Sequence, residues 1–325
     1  MRELTGREAI REALREEMLR DERVFLIGED ITDYGGCFGV TGDLYKEFGK
    51  ERVRNTPMSE TAIVNASMGA AMLGMRPVCE LMFMDFVANA MDGLANQIPK
   101  QVGMFAGAVS VPLVCRTPAG AAGAGGHHTQ SLEAWFTHMS GIVVVMPSTP
   151  YDLKGLLKSS IRSNNPVLFV EHKLGYRVTG EVPEEEYTIP LGKADIKREG
   201  SDVTLVATSY MVIKGLEAAE ILARDYGISV EVVDPRTLAP LDIDTIINSV
   251  IKTKRLVVSH EAYETCGFGA EVIAKVVDSE AFWNLDGPIK RVCGADVTIP
   301  YCHVLEEAAI PQVNDIVETI KNMFD

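Results

Sequence analysis

The chain has 325 residues, enough for about two domains, and carries a formal charge of −15 from 31 Lys and Arg against 46 Asp and Glu. Its 46% hydrophobic and 24% charged residues are those of a globular protein and exclude a disordered or low-complexity chain. So negative a field repels a phosphate backbone, so nucleic acid is excluded as a main partner while basic proteins are not.

The first twenty residues are dense in Arg and Glu and contain no apolar signal core. A helix follows from the Thr5-Gly6-Arg7-Glu8 start, with apolar Ile10, Ala13, Leu14 and Met18. Val24–Ile27 reads as a buried strand ended by Gly28-Glu29-Asp30. After a glycine-rich loop, Ser59 is placed to cap a helix running to about Leu73, where Gly74 stops it. Strands are expected around Val78–Leu81, Val111–Cys115, Ile142–Met146 and Val167–Val170, with helices between them. The polar stretch Gly180–Glu186 reads as a linker.

A second series follows: strands at Val203–Ala207, Ile228–Val233, Leu256–Ser259 and Ile289–Val292, and helices to about Tyr226, over Ile243–Ile251, from near Gly267 and over Gln312–Met323. The alternation predicts two α/β domains with mostly parallel sheets flanked by helices, residues 1–185 and 186–325. The longest stretch without Asp, Glu, Lys or Arg, from Ala134 to Tyr151, holds His138, Gly141, Pro147 and Pro150, so no membrane span is expected. The cysteines Cys37, Cys79, Cys115, Cys266, Cys293 and Cys302 form no CxxC pair, and no histidine cluster completes a zinc pattern. A cytoplasmic protein with reduced thiols is the expectation.

No P-loop, GxSxG elbow or HExxH is present, and Gly267-Phe268-Gly269 does not join an early strand to a helix. Three other segments can carry chemistry. In Asn55-Thr56-Pro57-Met58-Ser59-Glu60 a glutamate opens an apolar, small-residue helix. It either complements the helix dipole or is a desolvated carboxylate sharing a proton with a ligand nitrogen. In Glu80-Leu81-Met82-Phe83-Met84-Asp85-Phe86, dense Met and Phe suggest core, yet Phe86 falls where a strand gives way, a place for a stacking ring. The loop from Arg116 to Ser131 contains the Ala and Gly run Ala119–Gly126 and then His127-His128, which are either solvated or a proton-transfer pair.

In this order the segments resemble the beta subunits of the thiamine-diphosphate-dependent 2-oxo acid dehydrogenases, the decarboxylating component of the pyruvate, branched-chain and acetoin dehydrogenase complexes. Further matches are Leu4-Thr5-x-Arg7-Glu8-Ala9-Ile10, Gly28-Glu29-Asp30, Gly74-Met75-Arg76-Pro77 and His128-Thr129-Gln130-Ser131-Leu132-Glu133-Ala134-Trp135. Pro147-Ser148-Thr149-Pro150, Asn164-Asn165-Pro166-Val167, Asp234-x-Arg236-Thr237-Leu238 and Ile310-Pro311-Gln312 continue the series. The resemblance implies a pyrimidine-binding transketolase-like first domain and a transketolase C-terminal-like second domain.

It also implies that Glu60 bonds the aminopyrimidine of thiamine diphosphate and shares a proton with it. Phe86 would stack on that ring, Met58 would line the pocket, and His128 would transfer protons as the acyl group passes to lipoyl. His127 has no assigned counterpart. The family's Gly-Asp-Gly diphosphate and magnesium motif is not in this chain, which implies an alpha subunit that holds Mg2+, a second beta chain, and a lipoyl acyltransferase core docking on the acidic second domain. Relatives hold a potassium ion near Leu113, Ser160, Ile161, Ser163 and Asn165; here Ser163 stands where they often carry Asp, so the acid ligand is lost and the ion is left open. Rival readings are an acetoin dehydrogenase beta subunit and a transketolase-like half chain.

Overall fold

The computed structural model describes residues 1–324. Main-chain contacts divide the chain into two compact units, Met1–Ala119 with Trp135–Leu191, and Gly120–Ala134 with the residues from Gly192 onward.

The first unit opens on β1 (Arg2–Thr5) and α1 (Gly6–Arg20), where Thr5 and Glu8 bond each other's main chain in a capping box. It continues through β2 (Val24–Gly28), α2 (Leu44–Phe48), β3 (Val53–Asn55), α3 (Glu60–Met72) and β4 (Arg76–Glu80). A 3₁₀ turn (Met84–Ala90), a π-helical turn (Asp92–Gln97) and α4 (Gln101–Met104) lead to β5 (Val114–Ala119). Then come α5 (Glu133–Thr137), β6 (Val143–Val145), α6 (Pro150–Arg162), β7 (Val167–His172) and β8 (Thr179–Val182).

Six strands run parallel in the order β6-β7-β5-β4-β2-β3. β2, β5 and β7 are buried along their whole length, as expected for a parallel sheet covered on both faces. On one face Ile10, Leu14 and Met18 of α1 share a core with Leu153, Leu157 and Ile161 of α6. The same two helices bury charge as well: Lys154 and Lys158 reach Glu12 and Glu16, and Arg162 reaches Glu17. Such pairs are costly to separate once desolvated. The chain passes from β2 outward to β3 and then to the other side at β4, so the strand order reverses between β2 and β4. The carboxyl ends of strands beside such a reversal form a crevice for ligands.

The second unit has β9 (Asp195–Arg198), β10 (Val203–Ala207), α7 (Tyr210–Tyr226), β11 (Val230–Asp234), β12 (Thr237–Ala239), α8 (Ile243–Thr253) and β13 (Leu256–Tyr263). α9 (Phe268–Val277), β14 (Lys290–Gly294), α10 (His303–Ala309) and α11 (Val313–Lys321) complete it. Its sheet runs β14-β13-β10-β11-β9, parallel except for the antiparallel edge strand β9. Leu205, Val232 and Val257 from the strands pack with Met211, Leu222, Ile316 and Ile320 from α7 and α11. Gly227, at φ 68, ends α7 in the left-handed region that glycine tolerates best.

Three local expectations change. The strand expected at Val111–Cys115 begins at Val114, because Pro112 has no N–H and that of Leu113 is spent on Val111 O. Arg116–Ala119, read as loop, are therefore strand, and the loop proper starts at Gly120. The polar stretch read as linker begins inside β8, where Gly180, Glu181 and Val182 pair with Leu4, Glu3 and Arg2. Ser59 does stand at the N-cap of α3, but its side chain makes no capping bond.

Candidate active site

Glu60 is the first residue of α3, just beyond the carboxyl end of β3. One of its oxygens, Oε2, accepts a 3.3 Å hydrogen bond from Nδ2 of Asn89, in the 3₁₀ turn after β4. The other has no hydrogen-bond partner among the described residues. This turn and the π-helical turn after it meet α3 at two further points. Thr61 Oγ1 donates to Asn89 O, and Gly93 packs so closely that a Cβ there would lie 2.9 Å from Val64 Cγ1 and 3.0 Å from Asn65 Oδ1. Glu29, after β2, has its carboxyl pushed above the ordinary range by burial and by the charges of Asp30 and Glu60. The ends of β2, β3 and β4 thus converge on Glu60.

Phe86 lies in the same turn as Asn89, half-buried, its ring edge-on to Phe83 at 5.8 Å. Phe83 meets Phe38 at 5.6 Å, Phe38 meets Tyr176 at 5.3 Å, and Lys173 Nζ lies 5.4 Å from the Phe83 ring. This row of rings fixes the plane Phe86 presents. Met58 is 75% exposed. The Thr56 hydroxyl is buried without a partner two residues before it, a polar atom with bonding capacity left over. Glu60, Phe86 and Met58 therefore belong to one unit, at one end of one sheet.

Beneath them, Glu80, Arg116 and Glu171 come from the neighbouring strands β4, β5 and β7. Arg116 Nε and Nη2 donate to the two oxygens of Glu171 at 2.7 and 2.9 Å, Nη1 donates to Glu80 at 2.6 Å, and Tyr176 Oη donates to Glu171. Burial opposes charge on Arg116, but two carboxylates outweigh it and hold the guanidinium ionised. Burial pushes the Glu80 carboxyl up against the pull of Arg116.

His128 belongs to the second unit. Its loop is a tight, small-residue path in which His128 N and Thr129 Oγ1 both donate to Gly125 O, at 3.0 and 2.9 Å. His127 is exposed and His128 half-buried. Glu133, five residues on, is 1% exposed with both carboxylate oxygens unbonded. Burial raises it to about 7, with a further push from Glu261 and an opposing pull from its own N–H.

The residues expected around a cation make bonds within the protein. Ile161 O and Ser163 O each accept from Arg76 Nη1 at 2.8 Å, and Asn164 Oδ1 accepts from Nη2. Leu113 O accepts from Val167 N at 2.9 Å, Ser160 Oγ donates to Leu156 O at 2.7 Å, and Asn165 N donates to Ser163 Oγ at 3.0 Å. A guanidinium thus sits on two of the carbonyls assigned to potassium.

Residues 2–179 match the transketolase pyrimidine-binding domain and residues 192–316 the transketolase C-terminal domain. The chain is 44% identical to the pyruvate dehydrogenase E1 component subunit beta, mitochondrial, of Bos taurus, across 99% of this chain and 91% of that one. It belongs to this family of dehydrogenase beta subunits. The acetoin:2,6-dichlorophenolindophenol oxidoreductase subunit beta of Bacillus subtilis is 46% identical, across 95% of this chain and 94% of that one. Among solved structures, a split-gene transketolase, described as an inactive beta4 tetramer, shares the fold at a TM-score of 0.80 and 23% identity, over 98% of this chain and 97% of that one.

This beta subunit holds site residues that the sequence reading did not single out. Asn89 sits in Val87-Ala88-Asn89-Ala90, which by itself reads as one more small residue in a helix. Only the docking of the turn on α3 brings it to Glu60. By sequence Arg116 reads as the start of a loop, and only the strand register, which pairs Glu80 with Arg116, shows it as the centre of a charge cluster.

Proposed function

We propose that this chain is the beta half of a thiamine-diphosphate-dependent 2-oxo acid dehydrogenase. With an alpha subunit it oxidatively decarboxylates a 2-oxo acid, pyruvate in the favoured case, and acylates lipoyl groups. The observation that carries this reading is the Glu60 carboxylate, held at the carboxyl ends of the strands by a single long bond from a neutral amide, beside the Phe86 ring. That donor set fits a pyrimidine. A carboxylate oxygen is free for a ring nitrogen, an aromatic ring shares the turn, and the Thr56 hydroxyl has unused capacity. When bound, thiamine diphosphate supplies the carbon nucleophile for the keto group and the electron sink that releases carbon dioxide.

Glu60 would hold a proton between its carboxylate and the pyrimidine nitrogen, and its light restraint lets the oxygen follow that proton. Phe86 would stack against the ring plane, braced from behind by Phe83 and Phe38. Met58, exposed at the turn into α3, would contribute apolar lining. His128 would give a proton to the leaving sulfur as the lipoyl disulfide opens, since an imidazole can give and take protons near neutral pH. The diphosphate and Mg2+ fall to the alpha subunit, because this sequence carries no Gly-Asp-Gly. The working unit is then two alpha and two beta chains, served by a lipoyl acyltransferase core that docks on the second domain, in the cytoplasm. A potassium ion near Leu113 and Ile161 is left open. A second reading, acetoin cleavage with the same cofactor, is favoured by the 46% identity to the acetoin enzyme subunit.

Calorimetry with the purified chain and with the assembled alpha–beta enzyme tests this. Tight thiamine diphosphate binding and decarboxylation should appear only after assembly, and tight binding by an alpha-free preparation would overturn the shared-site reading. Pyruvate against acetoin, each with an artificial electron acceptor, separates the two substrates.

A further inference from the structure

The stretch Gly120–Gly126 is Gly and Ala throughout, the kind of main chain that is expensive to order and has few side chains to order it. Within the second unit it is nevertheless held at three successive points. The Ala121 methyl is buried with Ile299 and Ile310, and its N–H donates to the Glu261 carboxylate. Two residues on, Gly123 N–H donates to both oxygens of Glu306, at 2.9 and 3.0 Å. Gly125, at φ +77, lies against the Tyr301 ring, 3.0 Å from where a Cβ would be. Gly125 O then accepts from both His128 N and Thr129 Oγ1. The position of the loop is thereby passed on to the histidine within one turn.

The two carboxylates are placed for this work. Glu261 is on β13 and Glu306 on α10, each more than nine-tenths buried. Charge-assisted bonds from main-chain amides are stronger than neutral ones, and a buried carboxylate loses much if its donors move away. A rigid strand and a helix thus grip a segment that has no stiffness of its own.

We propose that Glu306 and Glu261 are positioning residues for the acyl-transfer step: by taking the amides of Gly123 and Ala121 they set the main-chain path that presents His128. This rests on the reading of His128 as a proton donor to lipoyl. In the assembled enzyme, Glu306→Ala should speed deuterium uptake across residues 119–128 while leaving β10 and β13 as protected as before. It should also lower lipoyl acylation about tenfold, with a smaller loss in decarboxylation read with an artificial acceptor. Glu306→Gln, whose carbonyl oxygen still accepts from Gly123 N–H, should restore most of the acylation and leave uptake between the two. If Glu306→Ala fails to assemble, Glu306→Gln decides alone, since losing the charge and one contact must raise uptake above wild type. Wild-type uptake in the loop of either variant would overturn the tether. His128→Ala separates the two claims: equal losses in both assays, alongside a loosened loop in Glu306→Ala, would refute the histidine's role and leave the tether standing.

Discussion

Two carboxylate sites of the first unit are built on opposite principles. Around Arg116, the guanidinium is 2% exposed and its bonds to Glu80 and Glu171 are short, with Tyr176 filling a further place on Glu171. Glu60, by contrast, is partly open and receives one 3.3 Å bond from an amide that carries no charge. The first arrangement is saturated: a buried network in which every member is paired resists change and fixes how β4, β5 and β7 lie side by side. The second keeps bonding capacity in hand. A carboxylate clamped by an arginine could not exchange a proton with a ligand at little cost, whereas one steadied by a neutral donor can. Scaffold and chemistry are thus told apart by how completely a charge is satisfied.

The largest effect is expected of Arg116→Met. It leaves two carboxylates buried without their partner and should cost about 3–5 kcal/mol of stability, read by chemical or thermal denaturation. An unmoved melting curve would show that the cluster is not the structural pole.

Glu133 adds a third case, a buried carboxyl that no other residue's donor reaches. Burial holds it at about 7 against an ordinary 4.5. A raised value means the folded protein prefers the neutral form. Its stabilising contribution is therefore complete below about 4.5 and lost as pH rises through about 7, a span worth roughly 3 kcal/mol. Glu133→Gln should flatten that loss, raising the melting temperature at about pH 8 more than at about pH 5.5. An equal change at both pH values would contradict the assignment.

The smallest effect is expected of Asn89→Ala, which removes only the single neutral donor on Glu60. It should lower kcat about tenfold or less and move the melting temperature little. A loss as large as that of a Glu60 variant would mean that Asn89 touches the ligand itself.

Much of this was legible in the sequence. Apolar runs placed the buried strands, because a parallel sheet covered on both faces leaves nothing else for β2 or β7 to be. The order of Glu60, Phe86 and His128 motifs pointed to the family to which the chain belongs. Apart from the local effect of Pro112, what failed did so where structure depends on partners far along the chain. β8 looks like a linker until β1, more than 170 residues earlier, is laid beside it. Pro112 moved a strand by three residues, and Arg116 and Asn89 gained their roles only through register and docking. Only the fold shows that the carbonyls of Ile161 and Ser163 accept from Arg76 of β4. Local patterns report what a residue can do, and long-range contacts decide whether its capacity is already used.

The lightly restrained Glu60 carboxylate is the centre of the site, and Glu60→Gln in the assembled enzyme tests its role directly. The amide keeps a hydrogen bond to the pyrimidine but cannot carry the shared proton. Proton–deuterium exchange at the thiazolium carbon of bound thiamine diphosphate should fall by about 10²–10⁴-fold, the range of a general acid–base contribution, while cofactor affinity and melting temperature change little. Exchange at the wild-type rate in a folded, cofactor-loaded Glu60→Gln enzyme would contradict the role given to this carboxylate.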